Sequence, residues 1–187
     1  MSVARRSALV AGVCLLFAAP RALASADVPY DPHPPPTLAW TLAQLVPSPE
    51  VGVGGPHVAG GMRWQLTPLL YSFGMYRKLS PWRAFVVEPL TRQSGSVELF
   101  FSPEYLSAPG GGDEWLARMG VHATFPVLER GEKLAFTLGA GAHLGAETGA
   151  VFEAGVSVFA GVAGLFFSYA PRLTIAPATL MLRVRIF

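Results

Sequence analysis

Apolar residues recur at every second position from Lys133 to Ala146, a segment that reads K-L-A-F-T-L-G-A-G-A-H-L-G-A. A period of two places Leu134, Phe136 and Leu138 on one face of a β-strand. The opposite face carries mostly glycine and alanine with a few polar groups, which is unusual for a soluble sheet. A bulky apolar face opposite a small polar face is typical of a membrane strand with lipid outside and a narrow polar lumen inside.

Similar stretches follow one another from Thr37 to the C-terminus, separated by clusters of turn-forming Pro, Gly, Ser and Asp. We predict approximate strands at 37–46, 58–67, 69–77, 83–91, 96–106, 115–128, 133–146, 151–160, 164–170 and 178–187. Two joins are ambiguous, at Thr67-Pro68 and at Ala160 to Gly164, because each is either a tight turn or a bulge. If both joins are turns the chain has ten strands, and if both are bulges it has eight. The pattern therefore predicts an all-β protein, a closed antiparallel membrane β-barrel, with eight strands favoured and ten as the alternative.

The first 36 residues have a different composition from the rest of the chain. Arg5 and Arg6 precede an uncharged apolar stretch from Ser7 to Ala19, and Ala22-Leu23-Ala24 supplies the small residues of a cleavage site. This arrangement predicts a signal peptide, residues 1–24, that is cleaved after Ala24. Residues 25–36 are rich in proline and predict an extended leader. We assign residues 37–187 to the barrel.

Composition narrows the possible chemistry. The one cysteine, Cys14, lies in the predicted signal peptide, so the mature chain has no disulfide, no thiolate nucleophile and no cysteine metal site. Only 14% of residues are charged, against about 25% in globular proteins, which fits a membrane barrel. The net charge of +2 is too small to indicate nucleic acid binding. No motif predicts a cofactor or a metal site.

The alternation assigns the charged residues of the strands to the inner face. Both signs are present, so we predict a lumen filled by ion pairs and hydrogen bonds rather than an open pore. The predicted network comprises Arg63, Glu88, Glu98, Arg118, His122, His143, Glu153, Arg183 and Arg185.

Hairpin register predicts contacts for His143. A turn centred near Arg130-Gly131 brings His143 opposite Arg118, and a loop centred near Thr148 brings it close to Glu153. Proton-linked gating or His–Glu catalysis is one interpretation of such a group. We favour a structural role, since Ser157 is the nearest candidate nucleophile and one serine close to Glu153 is weak support.

The signal peptide, the alternating strands and the C-terminal Phe187 together resemble a small outer-membrane β-barrel of Gram-negative bacteria, similar in size to the OmpA-type transmembrane domain. The resemblance covers about 37–187 and is architectural. It implies that Phe187 is part of the signal read by the barrel-assembly machinery. That signal normally has apolar residues at the third and fifth positions from the end, where this chain has Arg185 and Arg183.

From these observations we expect an exported, monomeric outer-membrane barrel that contacts lipid and acts structurally or through its loops, especially Ser107 to Glu114, with no catalysis. Three alternatives remain open. One is an outer-membrane enzyme that modifies lipid, which needs a His and a Ser meeting on the outer surface. Another is a narrow channel or transporter. The last is a soluble periplasmic lipid-binding barrel, in which the bulky apolar series would face inward.

Overall fold

The structure is a computed structural model and describes residues 46–54, 57–74, 80–85 and 87–184. The predicted signal peptide, the proline-rich leader, all but the last residue of the predicted strand 37–46, and Arg185 and Phe187 lie outside the described residues. Within the described ranges, no helix has the length and hydropathy needed to cross a bilayer.

The described residues form strands joined by short turns, with one five-residue helix and one short 3-10 turn at Glu129–Gly131. The elements in chain order are β1 (Ser48–Gly54), β2 (His57–Arg63), β3 (Leu66–Ser72), β4 (Trp82–Arg83), α1 (Pro89–Gln93), β5 (Ser96–Ala108), β6 (Gly112–Leu128), β7 (Leu134–Leu144), β8 (Thr148–Val158), β9 (Ala163–Tyr169) and β10 (Ala178–Val184).

All strand pairs are antiparallel, and the sheet closes on itself through the pairing of β2 with β5. The register can be followed once around the barrel from β5 back to β5. The path runs through Val97, Ala123, Leu138, Ala154, Phe167, Leu180, Val51, Gly60 and Ser107. It returns ten residues further along β5, and with a rise of ~3.3 Å and a strand spacing of ~4.8 Å this stagger tilts the strands by roughly 40°.

The barrel has eight strands, which confirms the favoured count. The register of β5 continues from Arg63 to Leu66, so β2 and β3 are two parts of one strand, and it shifts between Leu66 and Leu69. Thr67-Pro68 is therefore a bulge. The second ambiguous join is a turn, because Gly161 donates to Val158 and β8 pairs with β9 as a hairpin.

Two predictions about strands are wrong. The segment 83–91 is not a strand, since β4 covers only Trp82–Arg83 and α1 begins at Pro89. The second error is the omission of β1. Pro47, Ser48 and Pro49 indicated a turn, yet β1 begins at Ser48 and pairs with both β2 and β10.

The bulky apolar series faces outward. Leu138 is 47% exposed, whereas its neighbour Thr137 is buried. The outward residues of the described barrel strands are uncharged except for Asp113, at one end of β6. The outward series of β6 runs from Trp115 to Val127; at ~3.3 Å per residue and a tilt of roughly 40°, it spans about 30 Å along the barrel axis.

The two ends of the barrel are closed differently. We call the end with the β6–β7 and β8–β9 turns the turn end, and the opposite end the loop end. At the loop end the segment between β9 and β10 folds into the mouth and inserts Leu173 and Ala176. With inward residues of the strands they form an apolar cap that comprises Ala59, Leu106, Ala108, Leu116, Val151, Ala170, Leu173 and Ala176.

Candidate functional site

The middle of the lumen is a cluster of buried charges centred on Arg63. Its guanidinium lies 2.6 Å from Glu153, 2.7 Å from Glu50 and 3.2 Å from Glu104, and the Arg63 side chain is 2% exposed. The side chain enters the lumen because Arg63 is an inward position of β2, opposite Ser48. One guanidinium therefore contacts carboxylates from β1, β5 and β8, on both sides of the barrel.

Arg118 makes a second set of contacts in the same cluster. Its Nη2 donates a hydrogen bond to Glu104 Oε1 at 2.7 Å, and its Nε forms an ion pair with Glu104 Oε2 at 2.5 Å. A two-point pair of this kind fixes both side chains more firmly than a single contact. Arg118 also donates to the Ser168 hydroxyl at 2.6 Å, so β5, β6 and β9 are joined across the lumen.

His122 connects this cluster to the turn end of the barrel. Its Nε2 lies 2.7 Å from Glu153 Oε2, within hydrogen-bond distance, and its Nδ1 lies 3.4 Å from Glu98 and 3.3 Å from the Gln65 amide. The ring stacks on Phe100, with ring centroids 3.9 Å apart. We call Glu50, Arg63, Glu98, Glu104, Arg118, His122 and Glu153 the charge cluster.

The small inner face of β7 makes room for this cluster. A Cβ atom at Gly139 would lie 2.3 Å from Cδ2 of His122. An eight-stranded barrel has space inside only for interlocking side chains. Gly139, at an inward position of β7, therefore accommodates the large polar side chain of His122 from the neighbouring strand.

The structure places His143 differently from the register prediction. His143 pairs with Arg118 across β6 and β7 as predicted. The next loop is centred near Ala146 rather than Thr148, so His143 pairs with Gly149, and Glu153 pairs with Gly139. His122, not His143, contacts Glu153. Both ring nitrogens of buried His143 have no hydrogen-bond partner in the described part of the chain.

Three other predicted network residues are outside the charge cluster or outside the description. Arg183 is buried, but its guanidinium lies over the Phe166 ring, 3.5 Å from the centroid, instead of against a carboxylate. Glu88 lies in the linker between β4 and α1, where it accepts a hydrogen bond from Arg83 at 3.0 Å. Arg185 lies outside the described residues.

The electrostatics of Glu88 follow from that position. Partial burial raises the pKa of its carboxyl, but the hydrogen bond and positive charge of Arg83, with a hydrogen bond from Thr91, outweigh burial. The net effect is a pKa below the ordinary value of 4.5. Glu88 therefore stabilises the linker in its ionised form.

Sequence reasoning missed three buried charges. Glu104 has the same parity as Glu98 in the predicted strand 96–106, so the alternation was enough to identify it. Glu50 belongs to β1, which the flanking prolines concealed. Arg92 lies on α1, where strand alternation gives no signal.

The turn end is closed by α1, which we call the plug. Arg92 Nε lies 2.8 Å from Glu98 Oε2, and Arg92 Nη2 donates to Thr67 Oγ1 at 2.9 Å. The Ser157 hydroxyl donates to the Gln93 side-chain oxygen at 2.8 Å. Both closing residues are buried, so polar side chains fill this end of the lumen.

The surface of the loop end carries an open cavity of about 310 Å³. Its lining includes His57, Asp113, Glu114, Thr174 and Ile175. Glu147, from the β7–β8 loop, accepts hydrogen bonds from the Thr174 backbone N–H and hydroxyl at 2.7 and 3.0 Å. The neighbouring β5–β6 loop is short, because β5 ends at Ala108 and β6 begins at Gly112.

The arrangement of the described lumen suits packing and charge pairing. The Ser157 hydroxyl bonds to Gln93 and the Ser168 hydroxyl contacts Arg118 and Thr179. Neither hydroxyl is paired with His122 or His143, as an activated serine nucleophile would be. Within the described ranges, no group of three or more His, Asp and Glu side chains has the geometry to hold a metal ion.

Comparison with protein-family models, with curated proteins and with solved structures finds no match to this chain.

Proposed function

We propose that this protein is a monomeric β-barrel of the bacterial outer membrane that acts as a closed scaffold and presents its loop end to a partner. The observation that carries the proposal is the partition of side chains. Leu138 and the rest of the apolar series face outward, while the charge cluster fills the interior. A soluble lipid-binding barrel requires the opposite partition, whereas an apolar exterior around a polar interior is typical of outer-membrane barrels.

The closed lumen supports a scaffold over a channel. The charge cluster links strands across the middle, the apolar cap closes the loop end and the plug closes the turn end. Lipid modification would need a catalytic His beside a Ser on the outer surface, whereas His122 and His143 are fully buried and His57 lies at the loop-end cavity. The cavity beside Asp113 and Thr174 is the loop-end surface that we assign to a partner.

A charge scan of the outer surface tests the membrane environment. Leu138 lies near the middle of the outward apolar series and Val53 lies at the loop end of β1, and the two side chains are similarly exposed. In a bilayer, Leu138→Arg should cost about 2–4 kcal/mol and Val53→Arg about 0–1 kcal/mol.

The measurement is urea unfolding of the refolded protein in phosphatidylcholine vesicles, with folded and unfolded forms separated by heat-dependent migration in detergent electrophoresis. Fractionation of the exporting cell should recover the native chain with outer membranes. Equal, small effects of both substitutions, within about 0.5 kcal/mol as expected of exposed sites in water, would reject the membrane assignment.

A further inference from the structure

The plug is the one α-helix in the described part of the chain, and it enters the lumen from outside the barrel wall. It follows a linker in which Arg83, Glu88 and Thr91 bond to one another, with both contacts to the Glu88 carboxylate at 3.0 Å. The backbone N–H of Thr91 also donates to the Glu88 carbonyl at 3.1 Å. Arg83 belongs to β4, which pairs with β3, so these bonds attach the linker to the barrel wall on the β4 side of the plug.

The side-chain contacts that the structure describes between plug and wall are those of Arg92 and Gln93, and they are polar. Arg92 contacts Glu98 and Thr67, and Gln93 contacts Ser157. The Gln93 side chain also packs against the β8–β9 turn, where a Cβ at Gly161 would lie 2.5 Å from its amide nitrogen. Polar groups that leave such contacts can form hydrogen bonds to water instead, so the net contribution of each contact is small.

The side chains of the apolar cap cannot form hydrogen bonds to water in place of the contacts that they would lose. Leu173 is fully buried against other apolar side chains, and its exposure to water would forfeit that burial. Opening of the turn end therefore replaces protein hydrogen bonds by hydrogen bonds to water, whereas opening of the loop end exposes apolar side chains.

We propose that α1 is a displaceable plug, latched by the Arg92–Glu98 ion pair, whose departure opens the turn end of the lumen to water while the apolar cap keeps the loop end closed. The open state is a one-sided vestibule, lined by Thr124, Thr137 and Ser157, rather than a through-channel. This inference goes beyond the proposed scaffold function and holds in detergent as well as in a bilayer.

Single cysteines report the opening of each end. Thr137→Cys lies in the lumen near the turn end and removes none of the plug contacts described above, and Val151→Cys lies within the apolar cap. Each is made in the full chain with Cys14→Ala, and its modification by a charged, water-soluble methanethiosulfonate reagent is timed. In the folded parent, Thr137→Cys should react at least about tenfold faster than Val151→Cys.

Arg92→Gln tests the Arg92–Glu98 ion pair that latches the plug. Arg172→Gln, at the exposed loop end, is the control that removes the same charge elsewhere. Arg92→Gln should accelerate modification of Thr137→Cys about tenfold or more, since it removes a buried ion pair. Gln93→Ala, which keeps the ion pair, should accelerate it about threefold. Arg172→Gln should leave it unchanged, and Val151→Cys should remain slow in every variant.

Two results would overturn the proposal. The first is equal, slow modification of both cysteines in the parent, because the plug would then be a fixed part of the core. The second is acceleration of Val151→Cys together with Thr137→Cys in Gln93→Ala, since the whole barrel would then be loosening. Neither result bears on the membrane assignment, which the charge scan tests separately.

Discussion

The two ends of the barrel achieve closure with different chemistry. At the loop end, Leu173 and Ala176 enter the mouth and are surrounded by carbon. At the turn end, Arg92 and Gln93 enter the lumen and bond to Glu98, Thr67 and Ser157. An apolar side chain that becomes exposed gains no compensating interaction with water, whereas a hydrogen bond within the protein can be replaced by a hydrogen bond to water. The loop end is therefore expected to stay closed, and the turn end is expected to open reversibly.

Disruption of the charge cluster between the two ends should have the largest effect. Arg63→Met leaves Glu50, Glu104 and Glu153 without their shared cation. Loss of one partner of a buried ion pair typically costs about 3–5 kcal/mol. We expect Arg63→Met to lose the folded band in heat-dependent electrophoresis, while Arg172→Met at the exposed loop end keeps it. A folded Arg63→Met barrel of parental stability would mean that the two ends do not depend on the cluster.

The next prediction compares the two closures directly. Leu173→Ala opens a cavity in the apolar cap and should cost about 2–5 kcal/mol. Gln93→Ala removes one hydrogen bond at the turn end and should cost about 1 kcal/mol. Unfolding in urea measures both variants against the parent. Equal losses would show that the chemical contrast between the ends has no energetic consequence.

The inward glycines provide a sharper test of how tightly the lumen is packed. Gly139→Ala directs a methyl group at the His122 ring and should cost about 1–3 kcal/mol, as overpacked cores do. Gly60→Ala is the matched control, because a Cβ at this outward position meets no atom within 4 Å. Similar stabilities for the two variants in urea would indicate a lumen with room to relax.

The alternation of apolar and polar residues predicted which side chains face outward and how neighbouring strands pair. The direction of Leu138 and the pairing of Arg118 with His143 follow from a period of two combined with turn positions. The count of eight strands is correct, although the predicted set included 83–91, omitted β1 and joined β8 to β9 through a bulge. A shift of two residues in the centre of the next loop was enough to replace His143 by His122 as the contact of Glu153. Loop centres are therefore the weak step, because one error moves every contact of the following strand.

The features that escaped prediction depend on contacts between distant parts of the chain. The sequence around Arg92 indicates only a loop, whereas in the structure Arg92 lies on α1 inside the barrel. Pro49 argued against a strand, yet it lies in β1, which pairs with both β2 and β10. The apolar cap escaped for a related reason, since Leu173 belongs to a segment flanked by prolines that indicates only a turn. Elements that enter the lumen from outside the wall have no periodic pattern to reveal them.

The smallest predicted effect concerns the linker that carries the plug. The pKa of Glu88 is below its ordinary value of 4.5, so its contribution is present above that pH and is lost as the pH falls through the lowered pKa. The Arg83–Glu88 pair is partly exposed, so Glu88→Gln should cost about 0.5 kcal/mol at pH 7. The measurement is the modification rate of Thr137→Cys, which should rise about twofold at pH 7 if the linker helps to hold the plug. With a reagent that still modifies thiols at acidic pH, the modification rates of Thr137→Cys with and without Glu88→Gln should become equal as the pH falls below 4.5. Identical rates at every pH would mean that the hold on the plug comes from the barrel wall alone, and the contrast between the two ends would then reside entirely in Arg92 and Gln93.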